Sequence, residues 1–228
     1  MSKNTDKKNT DRNLEVGEVI SNTEKFIENN QKKILIIISA LIILVGGYFA
    51  YAKFYVEPRE QRASEDLFAI EQYYKNDDYE KALNGDGKHL GLLNFIDKYK
   101  STKSGNLARY YAGTIYLNTG EYDNAIIHLK KFKSKDQFLS AQKHSLMADA
   151  YMEIDEIDKA IAQYNKSLSN PNDFTTPFNL LKLGLAYEIK GNNTKALEAY
   201  KRIKEEFPAS LEYRDIEKYI SRLEALNN

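Results

Sequence analysis

The chain of 228 residues contains no cysteine and no tryptophan, only four prolines, and no net charge. Without cysteine there can be no disulfide, thiolate nucleophile, zinc–thiolate site or iron–sulfur cluster. Lys+Arg and Asp+Glu each total 33, and residues 53–228 alone carry 26 basic and 27 acidic side chains. A nucleic-acid-binding domain draws most of its affinity from phosphate contacts and shows a basic excess, which this composition does not supply. Histidine is scarce as well, with only His89, His128 and His144. No H-E-x-x-H pattern, G-x-S-x-G elbow or strand-led glycine loop occurs. Gly85, Gly87 and Gly91 are spaced G-x-G-x-x-x-G and read as a turn that breaks a helix. Acid pairs such as Asp77-Asp78 and Glu205-Glu206 read as solvated faces. The sequence therefore points away from an enzyme, and towards a chain with no metal and no cofactor.

What the chain does have begins with one long apolar run. Residues 34–52, ILIIISALIILVGGYFAYA, carry no charge, and eleven of the nineteen are Ile, Leu, Val or Phe. As a helix they extend about 28 Å, close to the ~30 Å hydrocarbon core of a bilayer. Tyr48 and Tyr51 lie near one end, where aromatic belts sit, and Lys32, Lys33 and Lys53 bracket the run. A transmembrane helix over 34–52 is expected. Nearby cations tie at three a side: Lys25, Lys32 and Lys33 before, Lys53, Arg59 and Arg62 after. The Lys32-Lys33 pair abutting the run favours a cytoplasmic N-terminus, with the long C-terminal part outside. A competing reading is a signal peptide cleaved near Ala50-Tyr51-Ala52, against which stand a long leading region and a long apolar run. Residues 1–33 form a polar tail, disordered over 1–13 by composition. A short helix is expected over 14–30, with Val16, Ile20 and Ile27 on one face and a capping box at Ser21–Glu24.

The second feature is internal repetition. Three segments align, at Leu107–Phe132, Lys143–Leu168 and Asn179–Pro208. A small residue recurs as Gly113, Ala148 and Gly184, and an aromatic as Tyr116, Tyr151 and Tyr187. An alanine recurs as Ala125, Ala160 and Ala196, and a bulky residue as Leu129, Tyr164 and Tyr200. Every one of these steps is 35 and then 36 residues. Small residues let two antiparallel helices cross closely, and the aromatics fill the space towards the next pair. Gly120 and Gly191 suit a left-handed position just past a helix, and Asp155 stands there in the middle copy. Pro208 and Pro171 follow second helices. Tyr73, Tyr79 and Ala82 suggest a degenerate earlier copy within 53–104, interrupted at Asn84–Gly87. After Pro208 a helix is expected over 209–228, with Leu211, Ile216, Ile220 and Leu223 in one apolar stripe capping the stack.

This pattern resembles the tetratricopeptide repeat, whose unit is about 34 residues. The resemblance implies an all-α fold: a short helical solenoid of antiparallel helix pairs, three repeats over 105–208 and a C-terminal capping helix, behind one N-terminal transmembrane helix. It also implies a protein-binding groove lined by first helices. By alignment the groove residues are Tyr110, Thr114 and Leu117, then Ser145, Asp149 and Met152, then Phe178, Leu181, Leu185 and Glu188. An equal alternative is that some of these face the cap or the neighbouring repeat. One subclass of the family clamps a C-terminal carboxylate with basic and Asn side chains; here Tyr110, Thr114 and Phe178 replace them, and only Lys182 is basic. The layout of tail, span and repeats is similar to bacterial membrane-anchored repeat proteins like the ancillary subunit of the Sec translocon. That likeness implies an inner-membrane adaptor facing the periplasm, whose partners are exported chains, the translocon or periplasmic chaperones. A scaffold for envelope assembly or cell division, or a cytoplasm-facing adaptor, uses the same fold.

Overall fold

A computed structural model describes residue 26 and residues 29–226. The helix and capping box expected within 14–30, and the polar tail, lie almost wholly outside the described residues. The chain divides into two units, Met1–Pro58 and Arg59–Asn228.

In the first unit, helix α1 (residues 29–51) leads into a π-helical turn at Ala52–Val56, and the helical run continues unbroken as Asn29–Lys75. Ile36, Ile43, Leu44 and Phe49 of α1 are all exposed, and the most apolar window has no buried residue. A water-facing helix keeps one polar side, whereas this one is apolar all round. It is long and apolar enough to cross a membrane.

The second unit contains the helices α2 (Glu57–Lys75, from Arg59), α3 (Tyr79–Asn84), α4 (Leu92–Lys98), α5 (Lys103–Asn118), α6 (Tyr122–Lys131), α7 (Gln137–Glu153), α8 (Ile157–Ser167), α9 (Thr176–Ile189), α10 (Asn193–Glu206) and α11 (Tyr213–Leu226). Among the described residues the only β-pairing is an isolated bridge between Gly85 and Leu90. The fold is all-α, and its closest packing is within α5–α6, α7–α8 and α9–α10.

Each pair closes with the same turn. The N–H of Glu121, Glu156 and Asn192 donates back to the carbonyl of Tyr116, Tyr151 and Tyr187, at 2.8, 2.9 and 2.8 Å. The preceding residues, Gly120, Asp155 and Gly191, have φ of 81, 60 and 77° and donate to Leu117, Met152 and Glu188. This is the Schellman arrangement, which satisfies carbonyls left open at a helix end. The recurrent tyrosine thus marks the residue whose backbone receives the closing bond. The same geometry appears between α2 and α3: Asp78 N–H donates to Tyr73 at 3.0 Å, and Asp77 has φ 56° and donates to Tyr74. Aspartate tolerates the left-handed region better than most side chains, although glycine is freer there.

The crossing within each pair depends on the small residue. A Cβ on Gly184 would stand 2.2 Å from Tyr200 Cε1, and one on Gly113 would stand 2.6 Å from Leu129 Cγ. Tyr200, Leu129 and Ala148 are each fully buried. Buried and half-buried tyrosines also tie helices together through their hydroxyls. Tyr111 donates to Glu71 at 3.0 Å, Tyr164 to Asp149 at 2.6 Å and Tyr200 to Glu188 at 2.6 Å.

Two stretches depart from the simple helix pattern. Between α3 and α4, Asp86 draws the chain into a closed loop. Its carboxylate accepts from the backbone N–H of Lys88 and His89, from Tyr73 Oη at 2.7 Å and from His89 Nδ1 at 3.0 Å. Those amides are occupied from within, so this glycine-rich segment is a structural turn. The last helix starts at Tyr213, later than expected. Leu211 is therefore not part of the capping stripe. It lies in the turn after Pro208, is 71% exposed, and only Ile216, Ile220 and Leu223 are buried. Pro208 ends α10, and the bonds Ser210 N–H to Phe207 and Arg214 N–H to Leu211 hold turns where a helix was expected.

Two outcomes follow for stability. Gly184→Ala should destabilise the repeat unit by about 1–3 kcal/mol, because the Tyr200 ring must move from a filled core; urea unfolding of the full chain reads this, and an unchanged midpoint would contradict the close crossing. Burial, then the Glu71 charge and hydrogen bond, pushes the Tyr111 phenol up to about 12. Burial and the carboxylates of Asp149 and Glu188 push Tyr164 and Tyr200 higher still. The native state then holds these protons more tightly than the unfolded chain, so their contribution is intact below the ordinary value of about 10 and is lost as pH rises above it. In an alkaline absorbance titration, unobscured by tryptophan, a late phase coupled to unfolding should follow the exposed tyrosines. A single transition of all 17 tyrosines near pH 10 would contradict it.

Candidate functional site

The first helices of the three pairs, α5, α7 and α9, contribute to one open cavity of about 470 Å³. Leu117 comes from the end of α5, Asp149 and Met152 from α7, and Lys182, Leu185 and Ile189 from α9. At its centre Asp149 accepts two hydrogen bonds, from Tyr164 Oη at 2.6 Å and from Lys182 Nζ at 2.7 Å. The Lys182 and Asp149 side chains are about a quarter exposed, so this pair is partly sheltered from solvent screening. Lys182 Nζ also stands 4.4 Å from the centroid of the Phe178 ring, within cation–π range. The result is a charged, hydrogen-bonded centre bordered by apolar side chains, of which Leu185 and Ile189 are 37% and 63% exposed. Such a surface can hold a protein segment by burying apolar side chains and satisfying a few polar groups.

The expected groove residues separate into three groups. Leu117, Asp149, Met152 and Leu185 converge on the cavity, and exposed Phe178 flanks it under Lys182. Ser145 is only 2% exposed and cannot present itself to a partner. Tyr110, Thr114, Leu181 and Glu188 are turned to internal work. Tyr110 packs on Phe132 with ring centroids 5.3 Å apart, and the Thr114 hydroxyl donates to the Tyr110 carbonyl. Leu181 packs against the core formed by α9, α10 and α11. Glu188 accepts from Tyr200 and from Arg222 of the last helix, the latter at 2.7 and 2.8 Å. Leu181 and Glu188 thus face the last helix or the core it closes, while Tyr110 and Thr114 make contacts within their own pair.

Alignment missed Tyr122, Glu153, Tyr164 and Ile189, which also line the cavity, as does Lys182, singled out in the sequence only as the one basic candidate for a carboxylate clamp. Tyr164 reads in sequence as a core residue; only its hydroxyl reaches the groove. Ile189 lies one helical turn beyond Leu185, and Lys182 one turn before it, so the i±3/i±4 face of α9 was the available signal.

The histidines stand apart from this site. His128 is half-buried against Tyr116, and burial, then Lys131 and Arg109, lowers its pKa. His144 Nδ1 lies 2.8 Å from Gln163 Oε1. Among the described residues no group of three or more His, Asp or Glu side chains is arranged to hold a metal ion.

Comparison with known proteins accords with this architecture. Family models described as tetratricopeptide repeat match residues 107–136 and 179–210, and a second model of the same description matches 144–173. A curated relative, the uncharacterized protein ycf37 of Guillardia theta, is 29% identical over 119 residues; the match covers 50% of this chain and 65% of that protein's length. Two crystal structures of MamA share the fold. One is 21% identical, with a TM-score of 0.53 over 68% of this chain and 92% of MamA. The other is 22% identical, with a TM-score of 0.50 over 71% and 89%. Repeats of this family are generally modules for protein–protein interaction, not catalysis. Three tetratricopeptide repeats are thus recognised over 107–210, each in place as a helix pair.

Proposed function

We propose that this chain is a membrane-anchored adaptor that holds a segment of another protein in the groove across its three repeats. The observation that carries the reading is the Asp149–Lys182–Tyr164 centre set among Leu117, Met152, Leu185 and Ile189. A segment with alternating or helix-spaced apolar side chains fits it best: the apolar groups bury against α5, α7 and α9, and its backbone or a carboxylate meets Lys182. The repeats then act as a scaffold without catalysis.

In this reading residues 34–52 span the bilayer and residues 53–104 form a linker helix with a degenerate copy of the repeat. The shared turn at Tyr73–Asp78 supports the latter. The Lys32-Lys33 pair supports an N-terminus in the cytoplasm and a repeat domain in the periplasm. That layout suits a role beside the protein-export translocon, receiving exported chains or periplasmic chaperones.

Two experiments test these points. A photo-crosslinker placed at Leu185 or Ile189 of the full chain in its membrane should capture a partner that a crosslinker at exposed Phe68 does not. Leu185→Asp should weaken that partner's binding by about tenfold or more, the loss expected for one apolar contact of roughly 1.4 kcal/mol; equal capture at both sites, or unchanged affinity, would overturn the groove. For orientation, alkaline phosphatase fused after Asn228 should be active. Activity instead from a cytoplasm-maturing fluorescent protein would place the repeats inside and remove the translocon reading.

A further inference from the structure

Away from the groove, five cations surround a second hollow of about 610 Å³: Lys100, Lys103, Arg109, Lys131 and Lys133. None of the five forms an ion pair among the described residues, although ten such pairs occur elsewhere in the second unit. Residues 98–135 contain eight Lys or Arg against two Asp or Glu, in a chain whose total charge is zero. The imbalance is therefore local.

The arrangement is held in place. Asn106 Nδ2 donates to the Lys133 carbonyl at 2.7 Å, and its Oδ1 accepts from Lys133 N–H at 2.9 Å. These two hydrogen bonds fix the segment just past α6 against the first turn of α5. Glu60 is the acid at this end of α5, but its carboxylate accepts from the N–H of Lys103 and Ser104 and from the Ser104 hydroxyl, at 2.6, 2.9 and 2.7 Å. Its oxygens are held by hydrogen bonds at the helix start and form no ion pair with an ammonium, although the Lys103 charge acts on them.

A purely structural account covers only part of the cluster. Lys131 sits in the last turn of α6, where the helix dipole favours a cation. Lys103 is the first residue of α5, where the same dipole disfavours a cation, and Lys100 lies in the turn just after α4. Of the cluster, Lys133 also acts on Lys143, whose pKa is lowered by burial first and then by the charges of Lys166 and Lys133. An external anion relieves this repulsion.

We propose that this cluster binds the phosphate-bearing headgroups of anionic lipids at the membrane that holds α1. Sequence supplies the occupant: Glu60, which anchors the start of α5, follows Ala52 by eight residues, at most about 28 Å of extended chain. Attraction of a basic patch to an anionic leaflet acts within a Debye length, about 8 Å at physiological salt. The inference rests on the anchoring proposed above and adds a second, electrostatic contact to it.

The absence of cysteine makes a direct test simple. The full chain carrying Ser101→Cys takes one fluorophore beside the cluster. It is reconstituted into phosphatidylcholine vesicles with or without phosphatidylglycerol, each containing a headgroup-attached quencher. Quenching should be at least about threefold stronger with phosphatidylglycerol, and should fall to the neutral-vesicle level in high salt or when Lys100→Glu, Lys103→Glu and Lys133→Glu are combined. These lysines are exposed, so an unchanged unfolding midpoint verifies that the variant is folded. Equal quenching in both vesicles, or no effect of charge reversal, would overturn the proposal. So would inorganic phosphate shifting the fluorescence of the detergent-solubilised chain to the same extent, which would assign the cluster to a soluble anion. Flotation of the chain with neutral vesicles reads anchoring by α1 separately, so failure of the anchor and failure of the cluster are distinguishable.

Discussion

Two helices of a pair can approach only as closely as the side chains at their crossing permit, and that distance governs the rest of the repeat unit. At Gly184 the ring of Tyr200 occupies the space a Cβ would need, and at Gly113 Leu129 does the same. Close crossing buries Tyr200 and Leu129 completely, and it brings the Tyr200 hydroxyl to Glu188 on the partner helix. Glu188 in turn receives Arg222 from α11, so the capping helix is tied to the same carboxylate that the crossing positions. In the middle pair the equivalent contact, Tyr164 to Asp149, orients the acid that meets Lys182 in the groove. Packing within a pair and the chemistry between pairs are thus one set of contacts.

This dependence explains what could be read from the sequence. Spacing alone located Gly113, Ala148 and Gly184, the tyrosines that follow them and the alanines of the second helices, because close packing restricts residue size at fixed intervals. The left-handed turns at Gly120, Asp155 and Gly191 were legible for the same reason. The apolar run was plain from composition. The turn at Asp77-Asp78 was legible too, because Tyr73 and Ala82 stand nine residues apart as Tyr116 and Ala125 do; only the 43-residue step to the next copy is irregular. The late start of α11 was hidden because Leu211 continues a helical stripe on paper, whereas turns after Pro208 take it out of register.

The groove was only half legible. First-helix positions carry alternating duties, and alignment cannot distinguish a side chain facing the cavity from one facing the next helix. Leu117, Asp149, Met152 and Leu185 face the cavity, while Ser145, Leu181 and Glu188 are committed elsewhere. Lys182 was legible as the one basic groove position, but its pairing with Asp149, 33 residues away, was not. The basic cluster was invisible for a related reason: it joins the start of α5 to the end of α6, and whole-chain neutrality conceals it.

The recurrent turn also has a kinetic meaning. Its closing bond joins residues only five apart in sequence, and the helices it joins are immediate neighbours along the chain. Native contacts are therefore mostly local, little loop entropy is lost before they form, and folding of such a chain is fast. Each pair can nucleate independently and template the next, as in a one-dimensional lattice with nearest-neighbour coupling. A chain emerging residue by residue from a ribosome or a membrane pore can complete one pair before the following pair exists.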